Sequence, residues 1–328
     1  MKPLAVKDAV IVNQMAEAEQ SMLGPDVLDG LTRLQKELPP KYFYDARGAD
    51  LFDQICDVPE YYPTRCERAI LQEYAADIAA RTGAHELLEL GSGTASKTRV
   101  LLSAMDDAGT LRRYLPVDVT DEMILRTAEE LVEEYPGLHV HGTVGDFERH
   151  LGKFPAPEGP RLIVFLGGTI GNFAPASRRR FLKSVARMMC PADTLLLGTD
   201  LVKDPAVIEA AYNDARGVTA EFNRNVLHVI NRELNGNFDP SAFEHVAFFN
   251  PDEEWIEMRL RARHTHSVRI EALDLDVGFA AGEEIRTEIS AKFTRERLAA
   301  DLASAGLELQ KLYTDADERF AVSLSRVA

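Results

Sequence analysis

Leu87-Leu88-Glu89-Leu90-Gly91-Ser92-Gly93-Thr94-Ala95-Ser96-Lys97-Thr98 is the stretch that decides the fold. A short apolar run ends in two closely spaced glycines and passes into a polar segment. That order reads as a buried strand, a tight turn and the start of a helix. A helix start exposes unpaired backbone N–H groups, so such a turn is suited to an adenosine-type ligand. The turn alone leaves the ligand open. As a dinucleotide fingerprint it lacks the third glycine, because Ser96 stands there. As a phosphate loop it lacks the glycine before Lys97-Thr98.

Outward from this turn, helical and strand patterns alternate. Cys66–Arg81 has helical period, Glu86–Leu90 is a strand and Ser96–Met105 a helix. Arg113–Val119 is a strand, and Asp121–Tyr135 is a helix with Thr120 or Asp121 as its N-cap. Leu138–Val144 and the apolar run Arg161–Leu166 are strands, Ser177–Met189 a helix and Thr194–Leu201 a buried strand. The alternation predicts a doubly wound α/β sheet. After Leu201 the rhythm changes. Helices are expected over 204–215 and 218–234, then longer strands over 243–250, 255–267, 268–279 and 285–293, a helix over 294–305 and a last strand over 319–327. Residues 202–285 are too many for a connection and read as an inserted α+β subdomain. Residues 1–40 read as a helical arm. Residues 41–65 are aromatic-rich and broken by Gly48, Pro59 and Pro63, as suits a pocket wall or a hydrophobic cap. One domain is expected over 66–201 with 293–328, and a second over 1–65 with 202–292.

The acids downstream of the turn choose the cofactor. Asp118 ends the next strand, where its carboxylate can accept both ribose hydroxyls. Asp146 ends the third strand, where it can accept an adenine amino group, and Phe147 can cover the ring. Acids at successive strand ends form the layout of an S-adenosylmethionine site, and a cofactor without phosphates needs no full phosphate cradle.

Composition narrows the class further. Thirty-seven basic residues against 53 acidic ones give a formal net charge of −16, which opposes general nucleic-acid binding. Arg178-Arg179-Arg180 reads as a solvated helix start. The three cysteines have no metal spacing and read as free thiols. The eight histidines form no ligand constellation, so no metal is expected. No leader and no membrane span is legible, so the expected location is cytoplasmic. A monomer is expected.

Long blocks of the chain resemble the histidine Nα-methyltransferases of ergothioneine biosynthesis. The blocks include Phe43-Tyr44-Asp45, Leu51-Phe52-Asp53-Gln54-Ile55, Pro59-Glu60-Tyr61-Tyr62-Pro63-Thr64-Arg65, Thr169-Ile170-Gly171-Asn172, Leu197-Gly198-Thr199-Asp200 and Phe222-Asn223-Arg224-Asn225. The resemblance implies a Rossmann-like class I methyltransferase with a second, substrate-binding domain. It implies trimethylation of the α-amino group of L-histidine to hercynine, with S-adenosylmethionine as methyl donor. It places Gly91, Lys97, Asp118, Asp146 and Phe147 at the cofactor. It places Tyr61, Asn172, Tyr212, Glu288 and Ser290 at histidine, with Tyr44, Phe52, Gly167, Thr169, Met258 and Ile289 lining the same pocket. On this reading Asn172, Tyr61 and Tyr212 donate to the α-carboxylate, while Glu288 and Ser290 serve the two ring nitrogens. Tyr44 and Asn172 are the expected catalytic residues, with Tyr44 orienting the amine or passing its proton to water. The chain departs from the family pattern at Gly168, where serine is usual, and at Ala291, where cysteine is usual. It also lacks tryptophans over 311–315.

Overall fold

The computed structural model describes residues 4–6, 9–14, 22–119, 121–147, 151 and 154–328. Their strands are β1 (Leu4–Val6), β2 (Ala9–Asn13), β3 (Lys36–Glu37), β4 (Glu86–Leu90), β5 (Arg113–Asp118), β6 (His139–Val144), β7 (Arg161–Phe165) and β8 (Thr194–Asp200). They continue with β9 (Phe243–Asn250), β10 (Trp255–Ala262), β11 (His266–Ile270), β12 (Leu275–Phe279), β13 (Glu284–Ala291), β14 (Leu307–Thr314) and β15 (Phe320–Val327). The chain divides into two compact units. One comprises Met1–Glu17, Cys66–Leu201 and Phe293–Ala328; the other comprises Ala18–Arg65 and Val202–Lys292.

The first unit is built on one nine-stranded sheet of order β1-β2-β6-β5-β4-β7-β8-β15-β14. From β2 to β8 the neighbours are parallel, while β15 runs antiparallel to both β8 and β14. The central strands β4, β7 and β8 are buried at every position, as a sheet covered on both faces requires. Strand alternation sends Leu87, Tyr114, Val140 and Leu162 to one face. There they pack with Ile70 and Ile78 of helix Pro63–Thr82, Leu101 and Met105 of helix Arg99–Asp107, and Ile124 and Leu131 of helix Asp121–Glu134. The chain winds from β4 through β5 to β6 in one direction, then from β7 to β8 in the other. The topological switch point therefore lies beyond the carboxyl ends of β4 and β7, where such sheets bind ligands.

The second unit holds a four-stranded sheet of order β3-β13-β10-β9 and the hairpin β11-β12. Helix Val218–Leu234 buries ten residues, among them Phe222, Val226 and Ile230. Helix Ala46–Asp57 is capped by Asp45, whose carboxylate accepts from the Gly48 N–H at 2.8 Å.

Four expectations need correction. The described part of the expected helical arm contains β1, β2, helix Leu23–Thr32 and β3, and β2 extends the parallel sheet beside β6. The strands expected over 255–267 and 268–279 each break, at 263–265 and at 271–274. Glu271–Leu273 is a single 3₁₀ turn that ends at Asp274 with φ +50°, which folds β11 back on β12. β14 was not anticipated, because as an edge strand it leaves much of its length exposed and shows no clean alternation. Arg178 is no solvated residue: it is 1% exposed, donates to the Asp301 carboxylate at 2.7 Å and stacks over Phe293. Thr120, one of the two candidates for N-cap, lies outside the described residues.

Candidate active site

In the first unit the residues expected at the cofactor lie at or beyond the carboxyl ends of β4, β5 and β6. Gly91 and Gly93 have φ of +75° and +48°, the left-handed region that glycine enters without strain. The Gly91 and Ser92 N–H groups donate to Val117 O at 2.8 and 3.0 Å. The Gly93 N–H donates to Asp118 Oδ2 at 2.9 Å. The turn is thus tied to the end of β5, and an acidic side chain sits on its third N–H. That carboxylate would repel a pyrophosphate at the turn, whereas it can accept from ribose hydroxyls of a phosphate-free cofactor. A Cβ at Gly91 would lie 3.6 Å from the ring of Phe147, so the aromatic borders the turn. Phe147 in turn packs on Phe165 and Phe181, at centroid distances of 5.3 and 5.9 Å. Asp146 is half-buried two residues beyond the end of β6. The Ser92 hydroxyl is buried with no hydrogen-bond partner among the described residues, which suits a ligand-facing group. These residues fit S-adenosylmethionine.

Lys97 is arranged differently from a simple surface lysine. It forms an ion pair with Glu67, a fully buried carboxylate. Glu67 also accepts from the Gly167 N–H at 2.8 and 3.0 Å. A Cβ at Gly198 would collide with Glu67 Oε1 at 2.2 Å, so that glycine makes room for the carboxylate. Glu67 therefore links the turn after β4 to the turn after β7, a role that no local signal in the sequence announces. Gly167 and Gly168 have φ of +77° and +67° and lead into the 3₁₀ turn Thr169–Asn172. Thr169 gives its hydroxyl to Leu166 O at 3.0 Å, and Asn172 stands half-buried at the end of that turn. The backbone at Gly168 lies in the left-handed region, which favours glycine.

The second unit assembles an aromatic wall. Tyr44, Phe52 and Tyr61 follow one another edge to face, with centroids 5.6 and 6.2 Å apart. Tyr61 continues to Tyr212 at 6.3 Å. Phe222, absent from the sequence-derived set, packs against both Tyr44 and Phe52. Although 45% of Tyr44 is exposed, its hydroxyl is desolvated and faces the Glu288 charge, and both raise its pKa above that of an ordinary phenol. Tyr44 is thus an O–H donor at neutral pH and a poor base.

Glu288 and Ser290 lie on β13, two residues apart and both buried, on one face of the strand. Met258 pairs with Glu288 across the β10-β13 ladder. Ile289, expected in the pocket lining, falls between them and projects to the opposite face. Burial pushes the Glu288 carboxyl up to about 7, against the lowering effect of Lys292. The Tyr212 hydroxyl donates to Ser290 Oγ at 3.0 Å. A phenol has one proton, so in this arrangement Tyr212 serves Ser290 and has none left for a carboxylate. Lys292, also missing from the sequence-derived set, is fully buried and donates to both hydroxyls. Strand alternation from Ser290 was the available signal for it. Among the described residues no group of three His, Cys, Asp or Glu side chains could hold a metal ion, and no helix is long and apolar enough to cross a membrane.

The sheet order, parallel from β2 to β8 with β15 antiparallel beyond it, is the Rossmann-like class I fold of S-adenosylmethionine-dependent methyltransferases. The chain belongs to the family described as histidine-specific, S-adenosylmethionine-dependent methyltransferases, whose model matches residues 23–327. It is 56% identical to a histidine N-alpha-methyltransferase of Mycolicibacterium smegmatis, over 94% of this chain and 96% of that protein. It is 51% identical to the protein of the same name from Mycobacterium tuberculosis, over 96% and 98%. It is 30% identical to ergothioneine biosynthesis protein 1 of Neurospora crassa over 86% of this chain, which spans 32% of that longer protein.

Proposed function

We propose that this protein methylates the α-amino group of free L-histidine three times, forming hercynine at the start of ergothioneine biosynthesis. The observation that carries the substrate is the Glu288–Ser290 pair, two buried ring-reading groups on one face of β13 beside the aromatic wall. The relatives named for histidine at over half identity support the same reading.

In this proposal the two units take different tasks. Asp118 holds the ribose hydroxyls, Asp146 the adenine amino group, and Phe147 covers the ring. Lys97, held by Glu67, faces the carboxylate of the cofactor's amino-acid end. When bound, S-adenosylmethionine supplies a methyl group on a sulfonium, open to in-line attack by an amine lone pair. Glu288 accepts an imidazole N–H and Ser290 serves the other ring nitrogen. A substrate lacking those nitrogens leaves buried polar groups unpaired, which gives steep discrimination. Tyr61 donates to the α-carboxylate without adding charge. Tyr44, kept protonated, orients the amine by accepting its N–H, and the departing amine proton goes to water. Most of the rate then comes from orientation.

The test is to incubate the protein with S-adenosylmethionine and a panel of free amino acids, following product masses. Histidine should gain up to three methyl groups, and ring-lacking amino acids none. Methylation of another amino acid with histidine untouched refutes the substrate.

A further inference from the structure

The buried ammonium of Lys292 carries an inference that rests on the histidine reading and deepens it. Lys292 is 0% exposed. Its Nζ donates to Ser290 Oγ at 3.0 Å and to the Tyr212 hydroxyl at 3.1 Å, and lies 4.7 Å from the centre of the Tyr212 ring. Its backbone N–H donates to Glu254 O at 2.8 Å, which fixes the chain just beyond β13. Ser290 Oγ therefore accepts twice, from Lys292 and from Tyr212. A serine hydroxyl has two lone pairs and one hydrogen. With both lone pairs engaged, Ser290 can meet a ligand only as a donor. Glu288, two residues back on the same face, is an acceptor when ionised.

We propose that Lys292 is a positioning residue that sets the hydrogen-bond polarity of the ring-reading pair. By occupying Ser290, it makes the site ask for a ring with one N–H, given to Glu288, and one lone-pair nitrogen, which accepts from Ser290. The ring selected is a neutral imidazole in a single tautomer. An imidazolium, with N–H at both ends, would set a donor against a donor at Ser290. A pyrrole-type ring, with N–H at one end and C–H at the other, would leave the Ser290 proton unpaired in a buried place. Without Lys292, Ser290 regains a free lone pair, and its hydroxyl can turn either way.

The test compares the wild type with Lys292→Met, Ser290→Ala and the double variant. The substrates are histidine and a pyrrolylalanine that keeps the N–H and carries C–H in place of the lone-pair nitrogen. S-adenosylmethionine affinity serves as the check on folding. The wild type should prefer histidine in kcat/KM by about tenfold or more. Each single variant should lower that preference to about threefold or less while S-adenosylmethionine affinity stays within about twofold. The double variant should lose little beyond either single one, because both changes remove the same hydrogen bond. Lys292→Gln, which keeps a donor, should recover part of the preference and guards against a Met variant that fails to fold. A Lys292→Met enzyme that still discriminates as the wild type does, fully multiplicative losses in the double variant, or a folded Gln variant no better than Met would each overturn the proposal. A wild type that does not methylate histidine overturns the functional reading and this proposal together. A wild type that does, with discrimination insensitive to Lys292, overturns this proposal alone.

Discussion

Glu288 shows how much chemistry one buried side chain can concentrate. It is 9% exposed and its carboxyl sits near 7, raised by burial and held down by Lys292. Replacing it with alanine removes the acceptor proposed for an imidazole N–H. A hydrogen bond to a charged group contributes about 1.5–3 kcal/mol, so Glu288→Ala should raise the KM for histidine roughly ten- to hundredfold. The Kd for S-adenosylmethionine should stay near the wild-type value, since Gly91, Asp118 and Phe147 are untouched. Calorimetry and steady-state kinetics separate the two, and an equal loss in both would make Glu288 a structural residue. At this scale the sequence was most legible where a residue stands at the end of a strand. Asp118 and Asp146 could be placed from the strand pattern alone. Glu67 and Lys292 could not be ranked, because their importance comes from partners such as Gly167 and Tyr212 that are distant along the chain.

At the scale of the element, β4 carries an ionisable carboxyl inside the sheet. Glu89 is buried in that strand and accepts from Thr98 and Tyr114. Burial pushes its carboxyl up to about 7, with those two donors opposing the rise. The unfolded chain ionises the same group near its ordinary value of 4.5. The folded state thus keeps a proton that the unfolded state has released. The resulting stability is complete below about pH 4.5 and is lost as pH rises through about 7. Glu89→Gln removes this dependence. The thermal stability of the variant relative to wild type should improve by on the order of 2–3 kcal/mol between pH 5 and pH 8. A difference that stays flat with pH would show that Glu89 does not titrate in this range. Elements that bury an apolar face were readable from periodicity, as with Val218–Leu234. The elements misread were those whose geometry depends on neighbours. β2 becomes a strand beside β6, and the hairpin β11-β12 turns on the backbone of Asp274.

For the molecule as a whole, binding at the first unit should be visible as stability. A ligand that binds only the folded state at about 100 times its Kd adds about 2.7 kcal/mol. For a chain of this length that corresponds to roughly 4 °C in Tm. S-adenosylmethionine should raise the Tm of the whole chain by about this much. Asp118→Ala should abolish most of the shift at the same ligand concentration, since it removes the partner of the Gly93 N–H and, in the proposed site, the ribose acceptor. An undiminished shift would remove Asp118 from the site.

The sequence by itself determined the class of this protein. Strand and helix periods, a glycine turn and acids at strand ends are local patterns, and each is written in a few consecutive residues. The tertiary structure alone decided how the sites are held. Glu67 joins two turns, Arg178 is buried against Asp301, and Lys292 with Tyr212 saturates Ser290. Most of those hydrogen bonds and ion pairs join residues far apart in the chain, and their donors and acceptors acquire a direction only when folding brings them within about 3 Å.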